Sequence, residues 1–251
     1  MALQRLARSL GDAWEVPRDL LLGRYPDFVS GGPLRPGEIP VFVLHGAEPE
    51  GFGRKLRHLA DNGYRTLSVD EYVAVIQGRV KPPERAVLLT FDDGRGSVWT
   101  IAAPLLRRHG MRAVVFLVPG RMSDQAPTPT WDDVTAGRSD AVSVLSREGG
   151  GGALLSWHEV ETLARTGSFE FQSHTLTHAR IHASPRLAGF AAPRTRQGCQ
   201  AFDQPLVRAG GRELLGAEVP LGTPLLASAP RTSDVPRFLS LIHISEPTRP
   251  Y

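Results

Sequence analysis

Short apolar runs alternate with amphipathic segments along the first two thirds of the chain. Continuous apolar runs at residues 39–44, 86–91 and 113–118 are typical of buried strands. Between the first two runs, Phe52, Leu56 and Leu59 recur at helical spacing until Asn62-Gly63 ends the pattern. Apolar strands that alternate with amphipathic helices indicate βαβ units, and hence a parallel sheet with both faces covered.

Further elements are predicted from capping and turn signals. Ser68 followed by Glu71, and Ser156 followed by Glu159, form capping boxes that begin helices ending near residues 77 and 165. The other predicted elements are strands at 64–67 and 169–172 and a helix at 97–109. Residues 120–153 are polar, contain four consecutive glycines at 149–152, and are predicted to form a loop or insertion. Beyond residue 180 the periodicity fades, and several prolines interrupt the segment.

The 251 residues divide into three parts. Residues 1–38 form an N-terminal preface, in which Leu3, Leu6 and Leu10 lie on one face of a short predicted helix. Residues 39–238 form the globular part. The tail at 239–251, LSLIHISEPTRPY, resembles the translation of a transposon adapter used in preparing sequencing libraries. We therefore predict that the native sequence continues differently after Phe238, and we exclude the tail from fold reasoning.

Composition excludes several classes of protein. Apolar residues make up 41% and charged residues 22%, which is ordinary for a globular protein with a sizeable core. The net charge of +3 comes mainly from arginines spread along the chain, with no basic run, so we expect no nucleic-acid partner. Cys199 is the single cysteine, which excludes an intramolecular disulfide and a cysteine-based zinc site.

Membrane and export signals are absent from the pattern. The apolar runs are too short to cross a bilayer, so we expect no membrane partner. The first residues lack the apolar core of a signal peptide, and we expect a cytoplasmic protein unless the true start lies upstream. The oligomeric state is left open.

Two polar motifs follow predicted strands and are candidates for chemistry. Asp92 and Asp93 come directly after the strongest strand, and His174 and His178 follow a later one. Ligands bind at the carboxyl ends of parallel strands, and histidines four residues apart share a face if the segment is helical. Each motif alone has an ordinary explanation, since aspartates favour turns and a histidine pair can lie on a solvated helix.

Together the motifs suit metal-assisted hydrolysis. One carboxylate and two imidazoles can bind Zn²⁺ or a similar divalent ion and leave a position open for water. The ion would activate that water for attack on a carbonyl, and the second carboxylate would take the proton.

The sequence resembles the polysaccharide deacetylases (NodB-like, carbohydrate esterase family four). The resemblance rests on TFDDG at 90–94, HTLTH at 174–178 and the similar segments 104–120 and 155–167, and it covers about residues 39–182. It implies that residues 39–238 are a polysaccharide-deacetylase-like domain with an α/β fold, a distorted (β/α)7 barrel that is truncated at its C-terminus. It also implies a hydrolase that removes acetyl groups from N-acetylated or O-acetylated carbohydrate by attack of a metal-activated water. By the same resemblance Asp93, His174 and His178 bind the metal, most simply Zn²⁺, and Asp92 is the catalytic base.

The chain also departs from the family's pattern. An Arg-x-Pro-aromatic motif that usually supports the base is missing, and Arg194 and Arg231 are candidates by residue type alone. His45 follows the first strand and is either a cleft residue or a strand-end histidine, whereas His243 lies in the excluded tail and is given no role. Two alternative functions therefore stay open: a non-catalytic carbohydrate-binding relative, and a hydrolase of a small non-sugar amide or imide.

Overall fold

The computed structural model describes residues 34, 37–149, 153–196, 201, 204–209 and 212–231. The predicted helix around Leu3 to Leu10, Cys199, Phe238 and the tail at 239–251 lie outside the described residues. The division into parts at residues 38 and 238 therefore stays a prediction. Within the described residues, no helix combines the length and the apolar character needed to cross a membrane.

A parallel sheet of five strands is the centre of the fold. β1, β3, β4 and β5 lie side by side in that order, and β2 pairs in parallel with the first two residues of β3. Two antiparallel pairs, β6 with β9 and β7 with β8, follow in the chain. The strands are β1 (Val41–Leu44), β2 (Arg65–Thr66), β3 (Ala86–Phe91), β4 (Ala113–Leu117), β5 (Phe169–Ser173), β6 (Arg180–Phe190), β7 (Val207–Ala209), β8 (Arg212–Leu214) and β9 (Pro224–Pro230).

Helices connect the parallel strands. Within the described ranges, 3-10 turns accompany them at Pro119–Arg121, Arg147–Gly149, Pro193–Arg196 and Gly216–Glu218, and a π-helical turn lies at Val98–Ala102. The α-helices are α1 (Pro49–Asp61), α2 (Val69–Ile76), α3 (Ala103–Arg108), α4 (Trp131–Thr135), α5 (Ala141–Leu145) and α6 (Trp157–Arg165).

The core lies on both faces of β3, whose six residues are all buried. Val87, Leu89 and Phe91 belong to the larger cluster, which includes buried side chains of α1, α3 and α6. Ala86 and Leu88 belong to a smaller cluster on the other face, against which α2 packs. Because side chains alternate along a strand, this division follows from the continuous apolar run at 86–91.

The predicted α/β class is confirmed. Parallel strands alternate with helices as a (β/α) barrel requires, and the sheet formed by the described residues stays open. Both predicted capping boxes are present. The hydroxyls of Ser68 and Ser156 accept from the backbone N–H of Glu71 and Glu159, and the two glutamate carboxylates accept from the backbone N–H of the two serines. The predicted strand at 86–91 has the same bounds in the structure.

The prediction that the run at 39–44 is buried was wrong. The run does form β1, but Val41, Phe42 and Val43 are 41%, 38% and 58% exposed. β1 pairs only with β3 among the described strands and is an edge of the sheet. The apolar run therefore predicted the strand correctly, but it did not predict how much of the strand neighbouring elements bury.

Three further expectations need correction. The helix at 97–109 is a π-helical turn followed by α3, because Pro104 has no N–H and its ring disfavours regular α-helix in the preceding turn. The segment 120–153 contains the short helices α4 and α5 rather than a plain loop. The segment after residue 180 contains the long strand β6. Its register shifts between His182 and Gly189, so apolar and polar residues do not alternate regularly along the strand.

Candidate metal centre

The turn after β3 carries both aspartates. The N–H of Asp92 donates to the carbonyl of Leu44 at 2.8 Å and extends the pairing with β1 by one residue. Asp93 and Gly94 then adopt left-handed conformations, with φ of +68° and +64°. A Cβ at Gly94 would lie 2.8 Å from Cδ2 of Leu117 on β4, so backbone and packing both favour glycine there. This sharp turn leaves Asp93 only 4% exposed.

The two histidines lie on a turn that follows β5. The N–H of His174 donates to the carbonyl of Leu117 at 2.8 Å, and the chain then leaves the sheet. The N–H of His178 donates to Oγ1 of Thr175 at 2.8 Å, and His178 has a left-handed φ of +51°. The segment is not helical, so the condition for the two histidines to share a helix face is not met. The turn brings the two rings together instead, with centroids 5.4 Å apart.

Asp93, His174 and His178 converge at the carboxyl end of the sheet. Oδ1 of Asp93 lies 3.6 Å from Nε2 of His178 and 3.9 Å from Nε2 of His174. One ligand atom from each of the three residues lies within 4.8 Å of the others. The carboxylate is buried while the two imidazole side chains are about 30% exposed, so the cluster opens to solvent on the histidine side.

The residues present fit a divalent metal ion. Oδ1 of Asp93 is buried and accepts no hydrogen bond from the described residues, which is costly for a carboxylate oxygen unless a cation compensates. Ligand atoms at about 2.0–2.2 Å from a tetrahedral Zn²⁺ lie about 3.3–3.6 Å apart. The 3.6 and 3.9 Å separations of Oδ1 from the two histidine nitrogens are close to that range, so the carboxylate is placed to share an ion with each imidazole.

Arg95 contacts the other oxygen of the same carboxylate. Its Nε and one terminal nitrogen lie 3.4 and 3.3 Å from Oδ2 of Asp93, and its side chain is 26% exposed. The guanidinium therefore engages Oδ2 while Oδ1 points towards the histidines. This division favours a carboxylate that offers one oxygen to a metal ion.

The remaining candidates occupy different places. Asp92 is half-buried next to Asp93, and its carboxylate makes no hydrogen bond within the described part of the chain. His45 is exposed where β1 ends. The guanidinium of Arg231 donates to Glu213 at 3.2 Å, and Arg194 is exposed. The structure brings neither arginine into contact with Asp92.

Sequence reasoning missed two arginines. Arg95 lies two residues after Asp93, and that closeness was the available signal. Arg121 follows β4, and its Nε donates to the carbonyl of Thr177 at 2.5 Å. Nothing in the local pattern separates Arg121 from the many other arginines, because its partner is 56 residues away.

A family model described as "Polysaccharide deacetylase" matches residues 79–222. Among curated proteins, YxkH of Bacillus subtilis (strain 168) is 32% identical over 92 residues, covering 34% of this chain and 33% of that protein. The poly-beta-1,6-N-acetyl-D-glucosamine N-deacetylase of Escherichia coli (strain K12) is 31% identical over 119 residues, covering 47% of this chain and 16% of that protein. The matched regions thus span a third or less of the length of these relatives.

Solved structures with a similar arrangement include the deacetylase domain of BpsB from Bordetella bronchiseptica. It is 20% identical, with a TM-score of 0.45 and coverage of 74% of this chain and 70% of that chain. A de-N-acetylase from Aggregatibacter actinomycetemcomitans is 21% identical, with a TM-score of 0.43 and coverage of 59% and 58%.

Proposed function

This chain belongs to the polysaccharide deacetylase family, and from that premise we propose that it is a metal-dependent hydrolase that removes acetyl groups from N-acetylated carbohydrate. The reaction adds water across the carbon–nitrogen bond of an acetamido group and yields acetate and a free amine. The family and the curated N-deacetylase relative support the choice of an acetamido sugar as substrate.

The observation that carries the proposal is the buried Oδ1 of Asp93, which accepts no hydrogen bond within the described part of the chain and faces the two histidines. We expect Asp93, His174 and His178 to hold Zn²⁺, since an acidic oxygen and two imidazoles are ligands that this ion takes readily. A divalent ion bound there would lower the pKa of a water molecule and polarise the substrate carbonyl.

The protein side chains divide the remaining work. Asp93 is assigned to metal binding because it is buried and because Arg95 contacts its Oδ2, which leaves Oδ1 for the ion. Asp92 is more accessible and carries a carboxylate without a hydrogen-bonded partner in the described structure, so it is free to accept the proton released as water attacks. The exposed faces of His174 and His178 leave the open side of the site to substrate.

Two substitutions test these roles in the full 251-residue chain. We expect His178→Ala to lose bound zinc, and Asp92→Asn to keep zinc while acetate release from N-acetylglucosamine oligomers falls about 10²–10⁴-fold. His158→Ala, on the exposed side of α6, is the matched control and should change neither quantity. Zinc content is measured by elemental analysis after dialysis, and acetate by an enzyme-coupled assay.

The outcomes separate the possible functions. Unchanged zinc stoichiometry in His178→Ala would contradict the proposed ligand set. Saturable sugar binding without acetate release by the zinc-loaded chain would indicate a carbohydrate-binding relative. Turnover of small amides or imides in preference to acetylated sugars would keep the metal site but reject the substrate.

A further inference from the structure

The turn that carries the histidines is held in place by hydrogen bonds that its backbone carbonyls accept from another segment, as well as by hydrogen bonds within the turn. The 3-10 turn Pro119–Arg121, directly after β4, lies against it. The N–H of Gly120 donates to the carbonyl of Leu176 at 2.7 Å, and Nε of Arg121 donates to the carbonyl of Thr177 at 2.5 Å. Consecutive carbonyls just before His178 are therefore fixed by consecutive residues of another segment.

The conformation of His178 makes this contact important. His178 has a φ of +51°, a region that L-residues occupy only when the surrounding structure imposes it. The carbonyl of Thr177 belongs to the peptide group that leads into His178, so its orientation is coupled to the φ angle of His178. Fixing that carbonyl restrains the peptide plane from which the side chain of His178 projects.

Arg121 is also placed where a cation is costly. Burial lowers the pKa of its guanidinium, so this position needs compensating acceptors. Besides Thr177, the carbonyl of Ala201 accepts from Nη1 of Arg121 at 3.4 Å. The side chain thus joins the histidine turn to a segment beyond β6.

We propose that Arg121 is a positioning residue for the metal centre: its Nε–H holds the Thr177 carbonyl so that Nε2 of His178 points at Oδ1 of Asp93. This inference rests on the proposed function, because it assumes that the three residues bind an ion. Arg121 reaches the histidine turn at its backbone, through the carbonyl of Thr177. Its effect is transmitted through one peptide group.

Three substitutions of Arg121 separate a hydrogen bond from charge and from packing. In Arg121→Gln the amide nitrogen occupies the place of Nε and can still donate to Thr177, although the charge is lost. Arg121→Lys keeps the charge but has carbon at that place. Arg121→Met keeps an apolar stem with neither. Arg165→Met, which breaks an exposed ion pair with Glu161 on α6, is the control.

The readouts are metal affinity and the absorption spectrum of the Co²⁺-loaded chain. Affinity for Zn²⁺ and Co²⁺ is measured by competition with a chelator, and the unfolding temperature of each metal-free variant is recorded beside it. We expect the lysine and methionine variants to bind Zn²⁺ and Co²⁺ about 10–100-fold more weakly, which is the usual effect of losing an outer-shell hydrogen bond that orients a metal ligand. Their Co²⁺ absorption bands should also be altered. The glutamine variant should recover most of the affinity and the wild-type spectrum.

Each outcome decides the proposal. Rescue by lysine but not by glutamine would assign the effect to charge and overturn it, and wild-type affinity and spectrum in all three variants would overturn it as well. In that second case the proposed function would stand, because the wild-type chain still binds metal. A wild-type chain that binds no metal would overturn both. If the methionine variant does not fold, the comparison of lysine with glutamine is sufficient.

Discussion

A buried ion pair joins the segment after β4 to helix α6. Arg147 and Glu159 have side chains that are 8% and 0% exposed, and two guanidinium nitrogens lie 2.9 and 2.7 Å from the two carboxylate oxygens. The same carboxylate accepts from the backbone N–H of Thr128 at 3.2 Å and of Ser156 at 3.0 Å. Arg147 in turn donates to the carbonyl of Leu154 at 3.0 Å. The carboxylate of Glu159 therefore connects three separate segments of the chain, at Thr128, Arg147 and Ser156.

Removing the cation should be severely destabilising. Arg147→Met leaves the carboxylate of Glu159 buried with no opposite charge, a situation that costs about 3–5 kcal/mol. Two lost hydrogen bonds to a charged group, each worth about 1.5–3 kcal/mol, give the same order. Arg138→Met is the matched control, because Arg138 pairs with Asp133 at the surface, where solvent screening leaves such a pair little effect on stability.

The assay is urea unfolding of the chain in the presence of a chelator, which removes any contribution from bound metal. A loss below about 1 kcal/mol in Arg147→Met, similar to that of Arg138→Met, would refute the reasoning. The double variant Arg147→Met/Glu159→Leu tests the backbone contacts. It should recover only part of the loss, because the N–H groups of Thr128 and Ser156 lose their acceptor at about 1–3 kcal/mol each if left buried without one.

Three smaller predictions concern turns and helix ends. Gly94→Ala should cost at least about 1–2 kcal/mol in urea unfolding, because its φ of +64° disfavours a Cβ that would also meet β4. The backbone N–H of Thr130, followed by Arg138, lowers the pKa of Asp133 from its usual 3.8 to about 2. A carboxyl with a lowered pKa stabilises the fold above its usual pKa and ceases to do so as pH falls through the lowered pKa. The difference in unfolding free energy between wild type and Asp133→Ala should therefore close between about pH 4 and pH 2. A difference that does not vary with pH would contradict this. Ser156→Ala should cost about 1 kcal/mol by removing the cap of α6, measured as a shift in the urea midpoint, and an unchanged midpoint would show that the cap contributes nothing.

Local signals predicted the parts of the fold that depend on neighbours in sequence. β3 is a continuous apolar run because both of its faces are buried, and the two capping boxes depend on residues three positions apart. The grouping of the aspartate pair with His174 and His178 followed from their positions after parallel strands, whose carboxyl ends meet at one edge, and the choice of Asp93 within the pair came from the family resemblance.

Features that depend on distant partners could not be read from the sequence. The exposure of β1 depends on which strands pair with it, and the pairing of β6 with β9 joins residues about 40 positions apart through an irregular register. Arg95 lies two residues from its partner Asp93, whereas Arg121 has the same local appearance as arginines that lie at the surface. Only the folded chain shows that one contacts Asp93 and the other contacts Thr177.

The left-handed conformations at Asp93 and His178 restrict how this centre can change over evolutionary time. Aspartate, asparagine and histidine occupy that region several times more often than other residues with a side chain, so the backbone admits a short set of residues before metal chemistry selects among them. His174 is outside that region and carries no such restriction. In the proposed metal centre, exchange of one ligand type for another, and with it a drift in metal preference, is therefore least restricted by the backbone at position 174.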